Sequence, residues 1–161
     1  MASADAVPYG VKLGVDVGLA RVGVAMCDPE GILATPLRTL KRDEKKNSDI
    51  NVLVKLASEL GAVQIFLGLP RALSGRDTAS TSMAREYTEL LVAALGAAGN
   101  PVDVRLIDER LTTVSAHRSL HEAGLAGRKH RQVVDQVAAA DILQQALDMQ
   151  KSLQRNVGDP A

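Results

Sequence analysis

Short segments of alternating apolar and polar residues dominate the first 40 positions, a pattern typical of β-strands. Residues 11–18 are β-branched and bounded by glycine, which predicts a strand that turns Asp16 away from Leu13, Val15 and Val17. Residues 21–27 alternate in the same way and predict a hairpin partner. Residues 32–40 predict a third, weaker strand that carries Pro36 at an edge or bulge.

The segments that follow show two patterns of apolar residues, one with the spacing of a helix and one that is continuous, as in a buried strand. Residues 49–60 place apolar side chains at helical intervals and are followed by Gly61, whereas 62–69 are almost continuously apolar, as in a central strand. The remaining predicted elements are a helix over 78–98, a strand over 102–107 and helices over 112–123 and 132–153. Three strands followed by alternating helices and strands predict an α/β fold with one mixed sheet and helices on both faces.

Composition narrows the class of protein. The chain has 161 residues, 46% hydrophobic and 24% charged, which suits one domain. We expect this domain to span residues 10–154 between flexible tails at 1–9 and 155–161. A single cysteine excludes an internal disulfide framework, and no apolar run is long enough to cross a membrane. The first eight residues lack the pattern of a secretory signal, so we expect a cytoplasmic protein.

Charge and aromatic content limit how the chain could bind nucleic acid. Formal net charge is +0, so any attraction to phosphate must come from a local patch. Aromatic residues make up 2% of the chain, which argues against bases stacking on an aromatic platform.

Acidic residues interrupt apolar segments at three separate places. Asp16 lies within the first strand, Asp108 and Glu109 follow the last strand, and Asp135 lies near the start of the last helix. Burying a carboxylate is costly unless it is paired or binds a metal, and oxygen ligands suit Mg²⁺ or Mn²⁺. Each acid also has a purely structural interpretation, such as a hydrogen-bonded strand residue, an ion pair with a nearby arginine or a favourable charge in a helix's first turn.

Basic and hydroxyl side chains near these acids are candidates for phosphate binding. Alternatives stay open, because the threonines are equally suited to capping a helix and the basic runs to forming solvated loops. The candidates are Arg21, Arg71, Arg76, Arg110, Thr112, Thr113, Arg128, Lys129 and Arg131, the last three within a predicted basic loop over 124–131.

Four motifs in order resemble the YqgF/RuvX family of the RNase H-like superfamily. They are GVDVGLARVGVA at 14–25, LGLP at 67–70, DERLTT at 108–113 and VDQVAA at 134–139. The resemblance implies an RNase H-like five-stranded mixed sheet whose first three strands are antiparallel. It also implies a hydrolase, a metal-dependent endonuclease that uses Mg²⁺ or Mn²⁺, with Asp16, Glu109 and Asp135 as catalytic and metal-binding residues. Asp108 is a possible substitute for Glu109.

The chain departs from related junction resolvases in its last helix. Those proteins carry two acids one helical turn apart, whereas Asp135 is followed three residues later by Ala138. Asp141 lies about 240° further around the helix and does not share that face. The site therefore has three acids rather than four, which puts tight binding of two ions in doubt.

The resemblance implies structured nucleic acid as the substrate. Processing of the 5′ end of pre-16S rRNA in ribosome biogenesis is the favoured role, and Holliday junction resolution in DNA recombination is the close alternative. A monomer or a homodimer is compatible with the sequence, and junction resolution requires the dimer. Two other classes stay open: a nucleic-acid-binding adaptor with a weakened site, and a nucleotide-dependent phosphotransferase, whose usual two lobes need a longer chain.

Overall fold

The computed structural model describes residues 6–111 and 128–161, and side chains through 110 and again from 133. One sheet runs through it in the spatial order β3-β2-β1-β4-β5-β6. Its strands are β1 (Lys12–Val17), β2 (Arg21–Cys27), β3 (Ala34–Lys41), β4 (Gln64–Leu69), β5 (Asp103–Asp108) and β6 (Asp159–Pro160). The first three are antiparallel, and β4 pairs in parallel with both β1 and β5. This confirms the predicted mixed sheet, with six strands instead of five.

In the described part of the chain, three helices cover the two faces of the sheet. They are α1 (Ser48–Leu60), α2 (Ala79–Ala97) and α3 (Arg128–Leu153), and a short 3₁₀ turn, Glu109–Leu111, follows β5. The helix predicted over 112–123 lies outside the described residues, as do positions 124–127 of the predicted basic loop. Residues 128–131 belong to the first turn of α3 instead of that loop, so the last helix begins four residues earlier than predicted.

Two hydrophobic cores lie on opposite sides of the sheet. On one side, Leu13, Val15 and Val17 of β1 pack in a core that includes residues of α1 and α2. On the other, residues such as Phe66 and Ile107 form a core with the apolar face of α3. The side on which α3 packs is called the α3 face below. Alternation along β1 therefore puts Gly14 and Asp16 on the α3 face, as the sequence predicted for Asp16.

A buried polar network fixes the C-terminal half of α3 against the sheet. Lys12 of β1, only 2% exposed, donates to the Oε1 atom of Gln150 at 2.9 Å. The amide of Gln150 in turn donates to Gln64 of β4 at 3.0 Å. Burial lowers the pKa of Lys12. Because unpaired polar groups are costly inside a core, this network sets the register of α3 over β1 and β4.

The segment after α3 is built into the sheet. Asp159–Pro160 pairs with β5, the amide of Ala161 donates to the carbonyl of Val104, and Val157 is buried. The sequence had predicted a flexible tail over 155–161. The sequence could not predict this strand, because the side chains of a strand alternate with a period of two residues and a two-residue strand shows no repeat of that period.

No helix in the described part of the chain is long and apolar enough to span a membrane.

Candidate active site

Asp16 lies between two glycines in a row that crosses the sheet. Its direct partner in β2 is Gly23. In β4, Gly68 comes one residue after Leu67, which pairs with Val15, so Gly68 flanks Asp16 on the other side. The Asp16 residue is 4% exposed. With no side chain on either neighbour, space is left above the sheet on both sides of this carboxylate.

Asp135 of α3 fills the space above Gly23. A Cβ atom at position 23 would overlap the backbone carbonyl of Asp135 and lie 3.2 Å from its Cβ. Further along, a Cβ atom at Gly14 would lie 2.6 Å from the carbonyl of Ala139. Glycine in these strands therefore lets the helix backbone rest directly on the sheet, which brings Asp135 close to Asp16.

Glu109 fills the space above Gly68. A Cβ atom at position 68 would lie 2.5 Å from the Oε1 atom of Glu109. This glutamate begins the 3₁₀ turn after β5 and is 6% exposed. The glycines at 23 and 68 thus bring Asp16, Glu109 and Asp135, the three acids predicted from the sequence, to one end of the α3 face. These three residues are called the acidic row, or acidic site, below.

Asp108 lies on the opposite face. Val104 and Leu106 pack in the core under α1 and α2, so alternation along β5 directs Asp108 to that side as well. Both of its carboxylate oxygens bind the guanidinium of Arg110, with a shortest distance of 2.6 Å, and its Oδ2 lies 3.8 Å from Arg71. Hydrogen bonds from Arg110 hold the pKa of Asp108 below its ordinary value. The alternative that Asp108 replaces Glu109 is therefore not favoured by the fold.

Of the predicted phosphate-binding residues, some form ion pairs, one is exposed in a loop, and the others lie outside the described part of the chain. Arg21 donates from Nε to the Oδ2 atom of Asp135 at 2.6 Å, so it lies within the acidic site. Arg110 and Arg71 flank Asp108, and Arg76 is exposed in the loop after β4. Thr112 and Thr113 lie outside the described residues. The side chains of Arg128, Lys129 and Arg131, in the first turn of α3, lie outside them too.

The donor set of this site fits a hard divalent cation. Within residues 6–110 and 133–161, no three acidic, histidine or cysteine side chains are gathered tightly enough to form a ready-made metal cluster. Asp16 and Glu109 are nevertheless nearly buried on one face, and carboxylate oxygens are the ligands that Mg²⁺ and Mn²⁺ prefer. A bound cation would offset the cost of burying two like charges beside each other.

Sequence reasoning missed the part played by Gly23 and Gly68. Both lie inside strands, where glycine is unfavourable unless another group comes close. A glycine inside a predicted strand is a sign that another group packs closely against it. The sequence could not show that these groups are Asp135 and Glu109, because both come from segments distant in the chain.

Replacing Asp108 tests its separation from the acidic row. We expect Asp108→Asn to lower the free energy of unfolding at pH 7 by about 1 kcal/mol, because the partly exposed ion pair between its carboxylate and the Arg110 guanidinium is lost. Since the pKa of Asp108 is lowered in the fold, its contribution exists above the unfolded value of about 3.9 and disappears as the pH falls through the folded value. Thermal unfolding followed from pH 7 downward should show a deficit of the variant that is full at pH 7 and shrinks as the pH falls below about 3.9.

Mn²⁺ binding provides the control for this variant. The Asp108→Asn protein should bind Mn²⁺ as the unmodified protein does. A loss of Mn²⁺ binding would mean that Asp108, and not Glu109, belongs to the metal site.

Comparison with known proteins places this geometry in a family. The model of the RuvX family, described as "Holliday junction resolvase", matches residues 10–149. A protein of Frankia casuarinae is 48% identical over 88% of this chain and 68% of its own length. One from Leifsonia xyli is 46% identical over 94% of both chains. Both carry the name "Putative pre-16S rRNA nuclease".

Solved structures show the same fold at low sequence identity. RuvC of T. thermophilus, in complex with a Holliday junction substrate, matches with a TM-score of 0.58 and 14% identity, covering 95% of this chain and 100% of that one. The yeast mitochondrial Holliday junction resolvase matches with a TM-score of 0.54 and 13% identity, over 94% of this chain and 83% of that one. By its sequence and by its RuvC-like RNase H fold, the chain belongs to the RuvX family of nucleases.

Proposed function

We propose that this protein is a divalent-metal-dependent endonuclease that processes the 5′ end of precursor 16S ribosomal RNA. The observation that supports the proposal is a row across the sheet in which Gly23, Asp16 and Gly68 are neighbours, with Asp135 packed over Gly23 and Glu109 over Gly68. The ribosomal substrate is supported by the names of relatives that are 48% and 46% identical over most of this chain.

Each acid has a distinct part in the proposed reaction. Asp16 and Glu109 would hold the ion, and Asp135, which is paired with Arg21, lies beside them. Mg²⁺ or Mn²⁺, when bound, supplies positive charge for the developing transition state and makes water a stronger nucleophile. The attack is in line with the scissile bond and leaves a 3′-hydroxyl and a 5′-phosphate. The sheet and α3 restrict water around the acids, which strengthens every charge interaction there.

Phosphates beyond the cleaved bond need cations at the edge of the site. Arg71, Arg76 and Arg110 lie in or beside the loop that follows β4, at the edge where β1, β4 and β5 end. The guanidinium of Arg110 is bound by the carboxylate of Asp108, and its NH1 group donates a hydrogen bond to the carbonyl of Leu73 in the loop. We propose that this edge binds the flanking RNA strand, together with Thr112, Thr113, Arg128, Lys129 and Arg131.

A four-way DNA junction is the second candidate substrate. It is favoured by the description of the matching family model and by the junction bound to the T. thermophilus RuvC of similar fold. Symmetric cutting of two strands would require a two-fold dimer of this chain.

Cleavage of three labelled nucleic acids decides between these substrates. The substrates are a precursor 16S leader RNA, a four-way DNA junction and plain duplex DNA, each with Mg²⁺, Mn²⁺ or chelator. We expect the leader RNA to be cut at discrete positions with either ion and to stay intact with chelator. Preferential cutting of the junction would transfer the function to DNA resolution, and salt-sensitive binding without any cutting would support the adaptor hypothesis.

A further inference from the structure

A lysine of the edge strand β3 lies beside the acidic row. Lys41 is the last residue of β3 and pairs directly with Arg21 of β2. Two residues earlier in β3, Thr39 pairs with Gly23, which in turn pairs with Asp16 of β1. Positions 41 and 21 therefore lie one repeat of the strand, about 7 Å, beyond the row that contains Asp16.

Alternation along β3 directs the side chain of Lys41 to the α3 face. Leu40 is buried in the core under α1 and α2, so the residues on either side of it point to the opposite face. Thr39 agrees with this orientation, because its hydroxyl accepts a hydrogen bond from Gln136 of α3 at 3.1 Å. Lys41 is exposed. Its Cα atom is on the order of 12 Å from that of Asp16, since two strand spacings and one repeat separate them.

The charged residues that follow Lys41 have contacts within the turn that leads into α1. Arg42 lies 3.0 Å from the buried carboxylate of Asp49. The carboxylate of Asp43 accepts a hydrogen bond from the hydroxyl of Ser48 at 2.6 Å. These contacts hold the turn against α1, whereas Lys41 lies on the face that carries the acidic row.

Lys41 and the loop after β4 lie on opposite sides of Asp16. In the order of strands, β2 and β3 lie on one side of β1, and β4 and β5 lie on the other. The loop after β4, with Arg71, is the edge to which the flanking strand is assigned above. A strand that brings its scissile phosphate to the acidic row and continues across the sheet reaches β3. A lysine ammonium binds phosphate as a point charge and needs no fixed geometry to do so.

We propose that Lys41 binds a backbone phosphate of the nucleic-acid substrate on the β2–β3 side of the acidic row. The substrate strand then crosses the row from the loop after β4 to the end of β3. This inference rests on the proposed nuclease function and adds a second side to its binding surface. Contact with phosphate fixes the position of the strand and carries no sequence preference.

The salt dependence of binding tests this role. Fluorescently labelled leader RNA and a four-way DNA junction are titrated with protein at several salt concentrations, with chelator present so that they stay intact. Losing one phosphate contact lowers the slope of log Kobs against log salt by about 0.7–0.9. We expect this change in Lys41→Gln, with an affinity at low salt that falls by about threefold or more. Lys41→Arg keeps the charge and should keep the slope.

Arg38→Gln is the matched control for loss of charge. Arg38 is exposed on the same strand, but it shares the side of Leu40 and so points away from the acidic row. Its slope and affinity should stay near those of the unmodified protein. Circular dichroism on each variant shows that folded proteins are compared.

The two possible failures are distinguishable. An unchanged slope and affinity in Lys41→Gln, or an equal loss in Arg38→Gln, would overturn the role of Lys41 while leaving the proposed nuclease intact. If the unmodified protein neither bound nor cleaved either nucleic acid, the proposed function would be wrong and this inference would be overturned with it.

Discussion

Asp16→Asn is expected to abolish nucleic-acid cleavage while the protein stays folded. Asp16 lies between Gly23 and Gly68, and asparagine keeps its size but removes the charge that we propose holds the cation. Losing several kcal/mol of transition-state stabilisation corresponds to a fall in rate of about 10³-fold or more. Single-turnover cleavage of the leader RNA measures this fall, and thermal unfolding shows that the fold is retained.

A matched aspartate serves as control for this change. Asp148 is exposed on α3 and accepts a hydrogen bond from Gln144. Asp148→Asn should cleave at the original rate. If Asp16→Asn retained more than a tenth of the activity, Asp16 would not be the central carboxylate of the reaction.

Gly23→Ala is expected to be the most damaging single methyl addition in the sheet. The new Cβ would meet the backbone carbonyl of Asp135, which can yield only if α3 moves away from β2. Overpacking of this kind costs about 3 kcal/mol, or roughly 6–12 °C in the unfolding midpoint for a chain of this size. Because Asp135 moves with the helix, cleavage at temperatures where the variant is folded should fall as well.

Gly96→Ala provides the comparison. Gly96 lies in α2, and nothing lies within 4 Å of the position its Cβ would occupy. Alanine there should leave stability unchanged or raise it by about 0.5–1 kcal/mol, since glycine is the poorer helix former. Equal unfolding midpoints for the two variants, measured by calorimetry, would show that α3 does not rest on Gly23 as closely as described.

Local patterns predicted the elements that depend on short-range periodicity. Alternation in β1 correctly placed Asp16 opposite Leu13, Val15 and Val17, and the order of strands and helices predicted the mixed sheet. The strand Asp159–Pro160 was missed because two residues contain no period to detect. Its pairing with β5 depends on where the chain returns after α3.

The candidate site was predicted only in part, because its geometry depends on long-range contacts. Spacing could not separate Asp108 from Glu109, since Asp108 is the last paired residue of β5 and Glu109 follows it directly. The 3₁₀ turn and the glycine at position 68 place Glu109 on the α3 face. Arg21 binding to nucleic acid stays a prediction, and its contact with Asp135 is one that adjacent residues do not reveal.

A crystal structure with Mn²⁺, using the anomalous signal of the ion, tests the central claim most directly. We expect an anomalous peak on the α3 face, within bonding distance of the carboxylates of Asp16 and Glu109. A peak at Asp108, on the opposite face of the sheet, or a Mn²⁺-soaked crystal without density in the acidic row, would contradict it.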